Sequence, residues 1–284
     1  MPALNGYVPT TDGLQLYFQQ AGEGLPALVI PNGPPLLDAF STLTRGRAIL
    51  AYDARNRGES SLVRDEARKA NGIYNDVDDI EAVRSHFNLP TIDLLGHSYM
   101  GLTVILYAMR YPQRVRRIVQ IGAVAPTPAT QYPPELSFVD AVFTSAMDEL
   151  KRLTSHPGPT DTESMCKRFW QAIRPIYVVN PADVGKLDSW QRCHLATERG
   201  ALNYVGILTA SYMGISLTPA DVTMLTMPVL TIHGRKDRSG PYGGACDWTK
   251  LLPNGRLLTI EEGGHMPWIE APAEVLSAIE RFLQ

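Results

Sequence analysis

The 284-residue chain has only three cysteines, and they are far apart: Cys166, Cys193 and Cys246. No Cys-x-x-Cys pair or cysteine–histidine cluster is present, so the sequence predicts neither a disulfide framework nor a zinc site. Three reduced, mostly buried thiols are therefore expected. No metal ion and no organic cofactor is implied.

The chain also lacks an excess of charge of either sign. It has 26 Lys and Arg residues against 29 Asp and Glu residues, a formal net charge of −3. This balance does not favour nucleic acid as a partner and points to a small-molecule substrate. No window approaches the ~18–20 apolar residues of a membrane span, and the first residues do not resemble a signal peptide. We expect no membrane span and a cytoplasmic location, and we leave a homodimer open.

Short apolar runs of strand length alternate with helical patterns over much of the chain. Continuous apolar runs of four to six residues are typical of strands covered on both faces, as in a parallel sheet. The sequence thus predicts an α/β fold with a doubly wound, mostly parallel sheet. The predicted strands are 14–19, Ala27–Ile30, Ala48–Tyr52, Ile92–Leu95, Ile118–Ala123, Val229–Ile232 and Arg256–Ile260, and the predicted helices are Asn75–Phe87, Tyr99–Tyr111 and Ala273–Phe282.

This alternation stops between about residues 125 and 227, where no strand pattern is convincing. The periodic segments there are typical of helices, and Asn180-Pro181 is typical of a helix start. We predict a discontinuous core domain, 1–125 and 225–284, interrupted by a helical lid over 126–224. The helices predicted in the lid are Phe138–Leu153, Glu163–Ile173, Ala182–Leu195 and Thr197–Met213.

The strongest functional signal follows the predicted strand Ile92–Leu95. The segment Gly96-His97-Ser98-Tyr99-Met100-Gly101 leads into a predicted helix, and we interpret it as the Gly-x-Ser-x-Gly nucleophile motif. A serine on such a turn projects its hydroxyl above the sheet. The amide of the next residue, Tyr99, then lies at a helix N-terminus, where it can bind an oxyanion.

A nucleophilic serine needs a base, and the base needs an orienting acid. Asp237 comes just after the strand Val229–Ile232, and His265 lies in the loop after the strand Arg256–Ile260. The carboxyl ends of parallel strands are where catalytic groups collect. The chain order Ser98, Asp237, His265 is that of the α/β-hydrolase triad.

With these motifs, residues of about 10–125 and 225–284 resemble the α/β-hydrolase superfamily. The segment Asp53–Ser60 is similar to the family's Asp-x-Arg-Gly-x-Gly-x-Ser turn, with Asn56 in place of a glycine. Asparagine tolerates the left-handed conformation better than most residues, so this departure is mild. The resemblance implies the α/β-hydrolase fold with a helical lid.

A second departure concerns the oxyanion hole. The family usually has His-Gly-x after its first long buried strand, and the amide of x is the second oxyanion donor. Here Asn32, Gly33 and Pro34 fill these places, and proline has no N–H. Candidate replacements are the Gly33 amide, the Asn32 side chain and a lid hydroxyl such as that of Tyr132 or Tyr204, and a reaction without a demanding oxyanion is a further alternative. We choose Gly33, together with Tyr99, and place Asn32 and Pro34 at the substrate.

Four further residues are predicted to contact substrate. His97 and Trp268 are close in sequence to the nucleophile and the base, Trp170 belongs to the lid, and Glu198 opens a lid helix where it could bind an amine. His233, at the end of a strand, is expected to be structural.

The predicted function is a serine hydrolase that cleaves a small, largely apolar ester or lactone. One alternative is a proline-iminopeptidase-like aminopeptidase with the same triad, which selectivity for prolyl amides with a free amine would reveal. Another is a receptor-like protein that only binds its ligand, which tight binding without turnover would reveal. C–C hydrolases, lyases and perhydrolases of this fold also carry the serine and stay open.

Overall fold

The computed structural model describes residues 4–131, 140–155 and 162–284 and contains an eight-stranded sheet. The strand order is β1-β2-β4-β3-β5-β6-β7-β8; β1 and β2 are antiparallel to their neighbours, and the other six strands are parallel. The predicted doubly wound, mostly parallel sheet is confirmed. The strands are β1 Leu4–Pro9, β2 Gln15–Ala21, β3 Ala27–Pro31, β4 Ile49–Tyr52, β5 Ile92–His97, β6 Val115–Ile121, β7 Val229–Gly234 and β8 Gly255–Ile260.

Helices connect the strands and cover both faces of the sheet. Three short segments, Ser41–Thr44, Pro112–Arg114 and Pro181–Trp190, have the tighter 3₁₀ winding. The α-helices of the described residues are α1 Pro34–Leu37, α2 Glu66–Ala70, α3 Ile73–His86, α4 Tyr99–Arg110, α5 Pro128–Gln131, α6 Ala141–Thr154, α7 Glu163–Tyr177, α8 Ala196–Met213, α9 Gly243–Leu251, α10 Pro267–Glu270 and α11 Pro272–Leu283.

Each parallel strand divides its side chains between two hydrophobic cores. Leu94 packs with the core under α3 and α4, whereas the next residue, Leu95, packs with the core under α1 and α11. Successive side chains of a strand point to opposite faces, so a strand buried on both faces needs a continuous apolar run. This is why the apolar runs identified the parallel strands correctly.

Apart from helical segments of three to five residues, two elements of the described residues were not predicted, β1 and α9. Strand β1 lies at the edge of the sheet and pairs only with β2, and most of its residues are exposed or half-buried. Such a strand needs no continuous apolar run. Helix α9 follows the Asp237 loop and begins at a glycine pair, Gly243-Gly244, which is an unusual helix start.

Between β6 and β7, the described residues form helices and no strand. Asn180 caps its helix as predicted, with its side chain accepting from Ala182 N, but that helix is 3₁₀ and ends at Trp190 instead of Leu195. Gly185 lies in its middle and weakens regular α-helix. The exact boundaries 126–224 stay a prediction. None of the helices in the described ranges is long and apolar enough to cross a bilayer.

The expectation of three free thiols is wrong. Cys166 of α7 and Cys193 form a disulfide, with their Cα atoms 5.7 Å apart, and only Cys246 is free. The two cysteines are buried against Trp170. They belong to the described residues between β6 and β7, which we call the helical segment. Twenty-seven residues separate them, and no short motif marks the pair.

The helical segment is attached to the core by a group of charged side chains. Arg192 makes two hydrogen bonds with Asp53, of 2.7 and 3.0 Å, at the carboxyl end of β4. Glu198 accepts hydrogen bonds from Arg192 and from Gly58 N, and its carboxylate lies 3.3 Å from Arg57 Nε. We call these four side chains, of Asp53, Arg57, Arg192 and Glu198, the junction cluster.

The Asp53–Ser60 turn is held to α3 by an ion pair. Arg55 makes a two-point ion pair with Asp79 of α3, with N–O distances of 2.6 and 2.8 Å. Asn56 has φ +64°, the left-handed conformation predicted for the residue that replaces glycine.

Candidate active site

Ser98 lies on a strained turn between β5, which ends at His97, and α4, which begins at Tyr99. Its backbone angles are φ +60° and ψ −131°, which a residue with a Cβ adopts only when the surrounding structure enforces them. The half-buried Ser98 is therefore held at the carboxyl end of a central strand.

The interpretation of this turn as Gly-x-Ser-x-Gly is wrong in one position. Met100 stands two residues after the serine, and Gly101 stands three residues after it. The close packing involves Gly96 and Gly101: a Cβ on Gly96 would lie 2.3 Å from Met100 O, and one on Gly101 would lie 2.5 Å from Ala123 Cβ. The helix approaches the sheet at these two glycines, and Met100 is buried without needing to be small.

Asp237 and His265 are in direct contact. His265 Nδ1 lies 2.8 Å from Asp237 Oδ2, and both residues are buried. The other carboxylate oxygen, Oδ1, accepts hydrogen bonds from Ser239 N and Gly240 N, each 2.7 Å long. Burial alone would raise the pKa of Asp237, but its electrostatic interaction with His265 and the hydrogen bonds from His233 and His265 hold this pKa well below the usual range.

Ser98 and His265 both lie beside the end of β6. Ser98 N donates to Ile121 O over 3.0 Å, and a Cβ on the next residue, Gly122, would lie 3.0 Å from His265 Nδ1. The ring of His97, the residue before the serine, lies 4.6 Å from the ring of His265. The structure thus gathers the three predicted triad residues at one edge of the sheet.

The predicted oxyanion donors fare differently. Tyr99 N belongs to the first turn of α4, where amides have no partner within the helix, so it is available. Gly33 N instead donates to Tyr52 O over 3.0 Å, extending the β3–β4 pairing, and its assignment to the oxyanion hole is wrong. Pro34 begins α1 and brings no N–H to the site. Asn32 is half-buried with φ +54°, on the same connection.

The hydroxyl candidates do not replace Gly33. Tyr204 is buried, and its hydroxyl donates to Gly72 O over 3.3 Å, away from the triad. Tyr132 lies outside the described residues. Gly33 and Tyr204 are bonded elsewhere, so Asn32, on the connection after β3, is the remaining candidate donor among the described residues.

Aromatic rings surround His265. His97 Nε2 lies 3.1 Å from His265 O, and its ring makes edge contacts with Trp268 at 4.8 Å and Trp190 at 6.2 Å. Tyr177 of α7 lies 5.1 Å from the His265 ring. Burial, followed by the charge of His265, holds the pKa of His97 well below its usual value, so His97 is neutral at neutral pH. His97 therefore lies beside His265 and Trp268 beside His97, and their contact with substrate stays a prediction.

Two predicted substrate residues have other partners. Glu198 is only 3 % exposed and is held by Arg57, Arg192 and the Gly58 amide in the junction cluster, so its carboxylate is not free to bind a substrate amine. Trp170 packs against the disulfide in the interior of the helical segment. The predictions that these two residues contact substrate are wrong.

The sequence reasoning missed the positions of His233 and Tyr177. His233 is buried, with Nε2 3.1 Å from Asp237 Oδ2, although it was expected to be merely structural. Its place four residues before the predicted acid, at the end of the same strand, was the available signal. Tyr177 lies beside the His265 ring through the packing of the helical segment on the core, which no local pattern reports.

In the described parts of the chain, no three His, Cys, Asp or Glu side chains gather in a way that could hold a metal ion. The chemistry available at this edge of the sheet is that of a hydroxyl, an imidazole and an ionised carboxylate, bordered by aromatic rings.

Comparison with known proteins agrees with this geometry. Residues 24–272 match the family model described as alpha/beta hydrolase fold, and the chain belongs to this family. It is 24% identical to a 2-hydroxymuconate semialdehyde hydrolase of Pseudomonas putida, covering 95% of this chain and 91% of the relative. It is 24% identical to a proline iminopeptidase of Heyndrickxia coagulans, covering 98% of each. It is 27% identical to a bifunctional esterase/perhydrolase of Acinetobacter calcoaceticus, covering 94% of this chain and 95% of the relative.

These relatives carry out different reactions at similar identity. The family therefore establishes a hydrolase fold, and the reaction of this chain must be argued from its own site.

Proposed function

We propose that the protein is a serine hydrolase that cleaves a small, largely apolar carboxylic ester or lactone through an acyl-enzyme on Ser98. The observation that carries the proposal is the 2.8 Å contact between His265 Nδ1 and Asp237 Oδ2 beside the strained turn that presents Ser98. An imidazole whose Nδ1–H is held by a carboxylate has its Nε2 lone pair free to accept the proton of a serine hydroxyl.

The proposed reaction has two stages. Ser98 Oγ attacks the substrate carbonyl while His265 Nε2 takes its proton, and the imidazolium then gives this proton to the departing alcohol. Water next attacks the acyl-enzyme, losing a proton to His265, and the acid is released as Ser98 recovers its proton. Asp237 stays ionised throughout, because its carboxylate accepts hydrogen bonds on both oxygens.

In both stages the oxyanion is bound by the Tyr99 amide and by a hydrogen-bond donor of Asn32. Tyr99 N lies at the N-terminus of α4, where the helix dipole also favours negative charge. Asn32 replaces Gly33 in this proposal because the Gly33 amide is bonded to Tyr52 O. Removing one oxyanion donor typically lowers the rate by ~10²–10³-fold.

The preference for an apolar substrate is supported by the rings that border the triad. Trp268, Trp190 and Tyr177 lie within 6.4 Å of His97, of His265 or of one another. Two of these rings, Trp190 and Tyr177, come from the helical segment between β6 and β7, which we propose acts as a lid over the site. Rings of this kind favour contact with apolar groups.

The aminopeptidase alternative is not favoured by the position of Glu198. The amine-binding role imagined for that carboxylate requires a free acidic group, and Glu198 already has three partners. The binding-only alternative does not explain why an ionised Asp237–His265 pair lies beside a serine.

The test is active-site labelling of the Ser98→Ala variant, with Ser85→Ala, an exposed serine on α3, as the matched control. Wild type and Ser85→Ala should react with a fluorophosphonate and hydrolyse a short p-nitrophenyl ester, whereas Ser98→Ala should do neither. Undiminished labelling of Ser98→Ala would refute the proposal.

A further inference from the structure

His233 is the last-but-one residue of β7 and has no exposed surface. Its Nε2 lies 2.5 Å from Gly240 O and 3.1 Å from Asp237 Oδ2. A carbonyl and an ionised carboxylate can only accept hydrogen bonds, so Nε2 must carry a proton. Nδ1 is buried and has no hydrogen-bond partner among the described residues. A second proton there would leave a buried, charged donor unpaired, so His233 is the neutral Nε2–H tautomer.

His233 also supports the Asp237 carboxylate indirectly, through Gly240. The His233 Nε2–H donates to the Gly240 carbonyl, and the N–H of Gly240 donates to Asp237 Oδ1 over 2.7 Å. Gly240 lies beside both side chains, because a Cβ on it would be in van der Waals contact with Asp237 Oδ2 at 3.5 Å and His265 Cε1 at 3.7 Å. The His233 ring therefore fixes both the carboxylate and the loop that wraps around it.

The groups that face His233 are few. Asp237 and, beyond it, His265 lie on one side, and His97 is close enough to interact electrostatically. On the other side, the centre of the Tyr242 ring lies 6.0 Å from that of His233. The Tyr242 hydroxyl is hydrogen-bonded to Thr259 Oγ1, and the Arg235 guanidinium lies over the Tyr242 ring, 4.0 Å from its centre. Of these groups, Asp237 is the one that His233 Nε2 reaches directly.

We propose that His233 is a positioning residue for the acid of the triad. A carboxylate on a loop can rotate about its Cβ–Cγ bond, and His265 needs Oδ2 aimed at its Nδ1–H. The His233 N–H holds Oδ2 on the side opposite to the two amides that hold Oδ1, and it stabilises the ionised form of Asp237. This inference rests on the proposed serine hydrolase function.

The test compares two variants of His233. His233→Phe keeps the ring volume and removes the donor, and His233→Gln places an amide N–H near the position of Nε2. We expect His233→Phe to lower kcat about 10- to 100-fold with KM unchanged, as for loss of a hydrogen bond to a charged group. His233→Gln should recover kcat to within about threefold of wild type.

Two further measurements separate this role from packing and from failure of the proposed function. The downfield proton resonance of the His265–Asp237 hydrogen bond should move in His233→Phe and return towards its wild-type position in His233→Gln, which a residue that only fills space would not produce. Fluorophosphonate labelling should slow in His233→Phe by the same factor as kcat. Absence of labelling in wild type would refute the hydrolase proposal itself.

If wild type is labelled and His233→Phe keeps its kcat and labelling rate within threefold, the positioning role is refuted. It is also refuted if His233→Gln is as slow as His233→Phe while both melt near wild type. Should His233→Phe not fold, His233→Asn, whose shorter amide does not reach both acceptors, takes its place with the same expectations.

Discussion

The Cys166–Cys193 disulfide gives the most quantitative expectation. Its bond closes a loop with a sequence separation of 27 residues, between α7 and the residue next to Arg192 of the junction cluster. On the chain-entropy account, opening a loop of this size costs about 3.5 kcal/mol at 25 °C. The unfolding entropy is about 2.1 cal/mol/K per residue, so the free energy of unfolding of a 284-residue chain falls by about 0.6 kcal/mol per degree near the melting midpoint. Tm of the protein without the disulfide should therefore be about 6 °C lower.

The experiment is thermal unfolding of Cys166→Ser/Cys193→Ser, with Cys246→Ser as the control, since Cys246 is free and half-buried. Wild type and the control should melt together, and the double variant about 6 °C lower. A reductant should lower Tm of wild type towards that of the double variant and leave the double variant unchanged. Thiol titration of denatured, unreduced wild type should find one free thiol.

Three free thiols in protein prepared under oxidising conditions, or a double variant that melts within 1 °C of wild type, would refute the reasoning. The disulfide also bears on location. Such bonds persist in oxidising compartments and are rare in the cytosol. The bond does not favour the predicted cytoplasmic location, which stays a prediction.

Three further substitutions test the site and the interior beneath it. Asp237→Asn should lower kcat for a p-nitrophenyl ester by about 10⁴-fold, because the amide cannot hold His265 in its reactive tautomer; a loss below tenfold would contradict the triad. Asn32→Asp, which keeps the side-chain shape and removes its NH₂ donor, should lower kcat by ~10²–10³-fold, and Asn32→Gly should do the same if the side chain is the donor. Burial, followed by the charge of Asp79, raises the pKa of Asp76 well above 3.8. Its folded state therefore holds a proton that the unfolded chain releases, and stability falls as pH rises above about 4. In urea unfolding, the free energy of unfolding of Asp76→Asn should increase relative to that of wild type between pH 4.5 and pH 8. Parallel pH profiles of this free energy in the two proteins would contradict the prediction.

The sheet, and the three candidate residues that it brings to one edge, could be predicted from sequence because each depends on local patterns. An apolar run in the sequence predicts a parallel strand. Ser98, Asp237 and His265 each follow such a strand within a few residues. The topology of the sheet then gathers what the chain separates. No knowledge of side-chain packing is needed for this step.

The errors fall where long-range packing decides. The Gly33 amide is taken by Tyr52 because the β3–β4 pairing continues one step beyond the strand, and no sequence pattern reports where a ladder ends. Glu198 and the disulfide depend on how the helical segment folds back on the core. In the serine turn, Met100 stands where the motif has a glycine, and the structure accommodates its buried side chain.

The junction cluster has a consequence for substrate charge. Its two carboxylates and two guanidinium groups cancel, and Arg57 interacts electrostatically with Tyr99, beside Ser98, and with Tyr177, beside His265. The cluster therefore carries no net charge, which suits an uncharged ester and favours neither an ammonium nor a carboxylate substrate.

Glu198→Gln tests this balance, because it leaves one positive charge of the cluster uncompensated. We expect kcat/KM for an ester whose acyl chain ends in a carboxylate to rise relative to the methyl-ended ester of equal length, and the effect to shrink at high salt. Removing one partner of a buried ion pair should also cost about 3–5 kcal/mol of stability, measurable by urea unfolding. Arg152→Gln, which removes an exposed charge paired with Glu149 far from the cluster, is the control and should change neither quantity appreciably. An unchanged ratio of the two esters in Glu198→Gln would mean that the cluster does not influence the bound substrate, and the argument from its neutrality would fail.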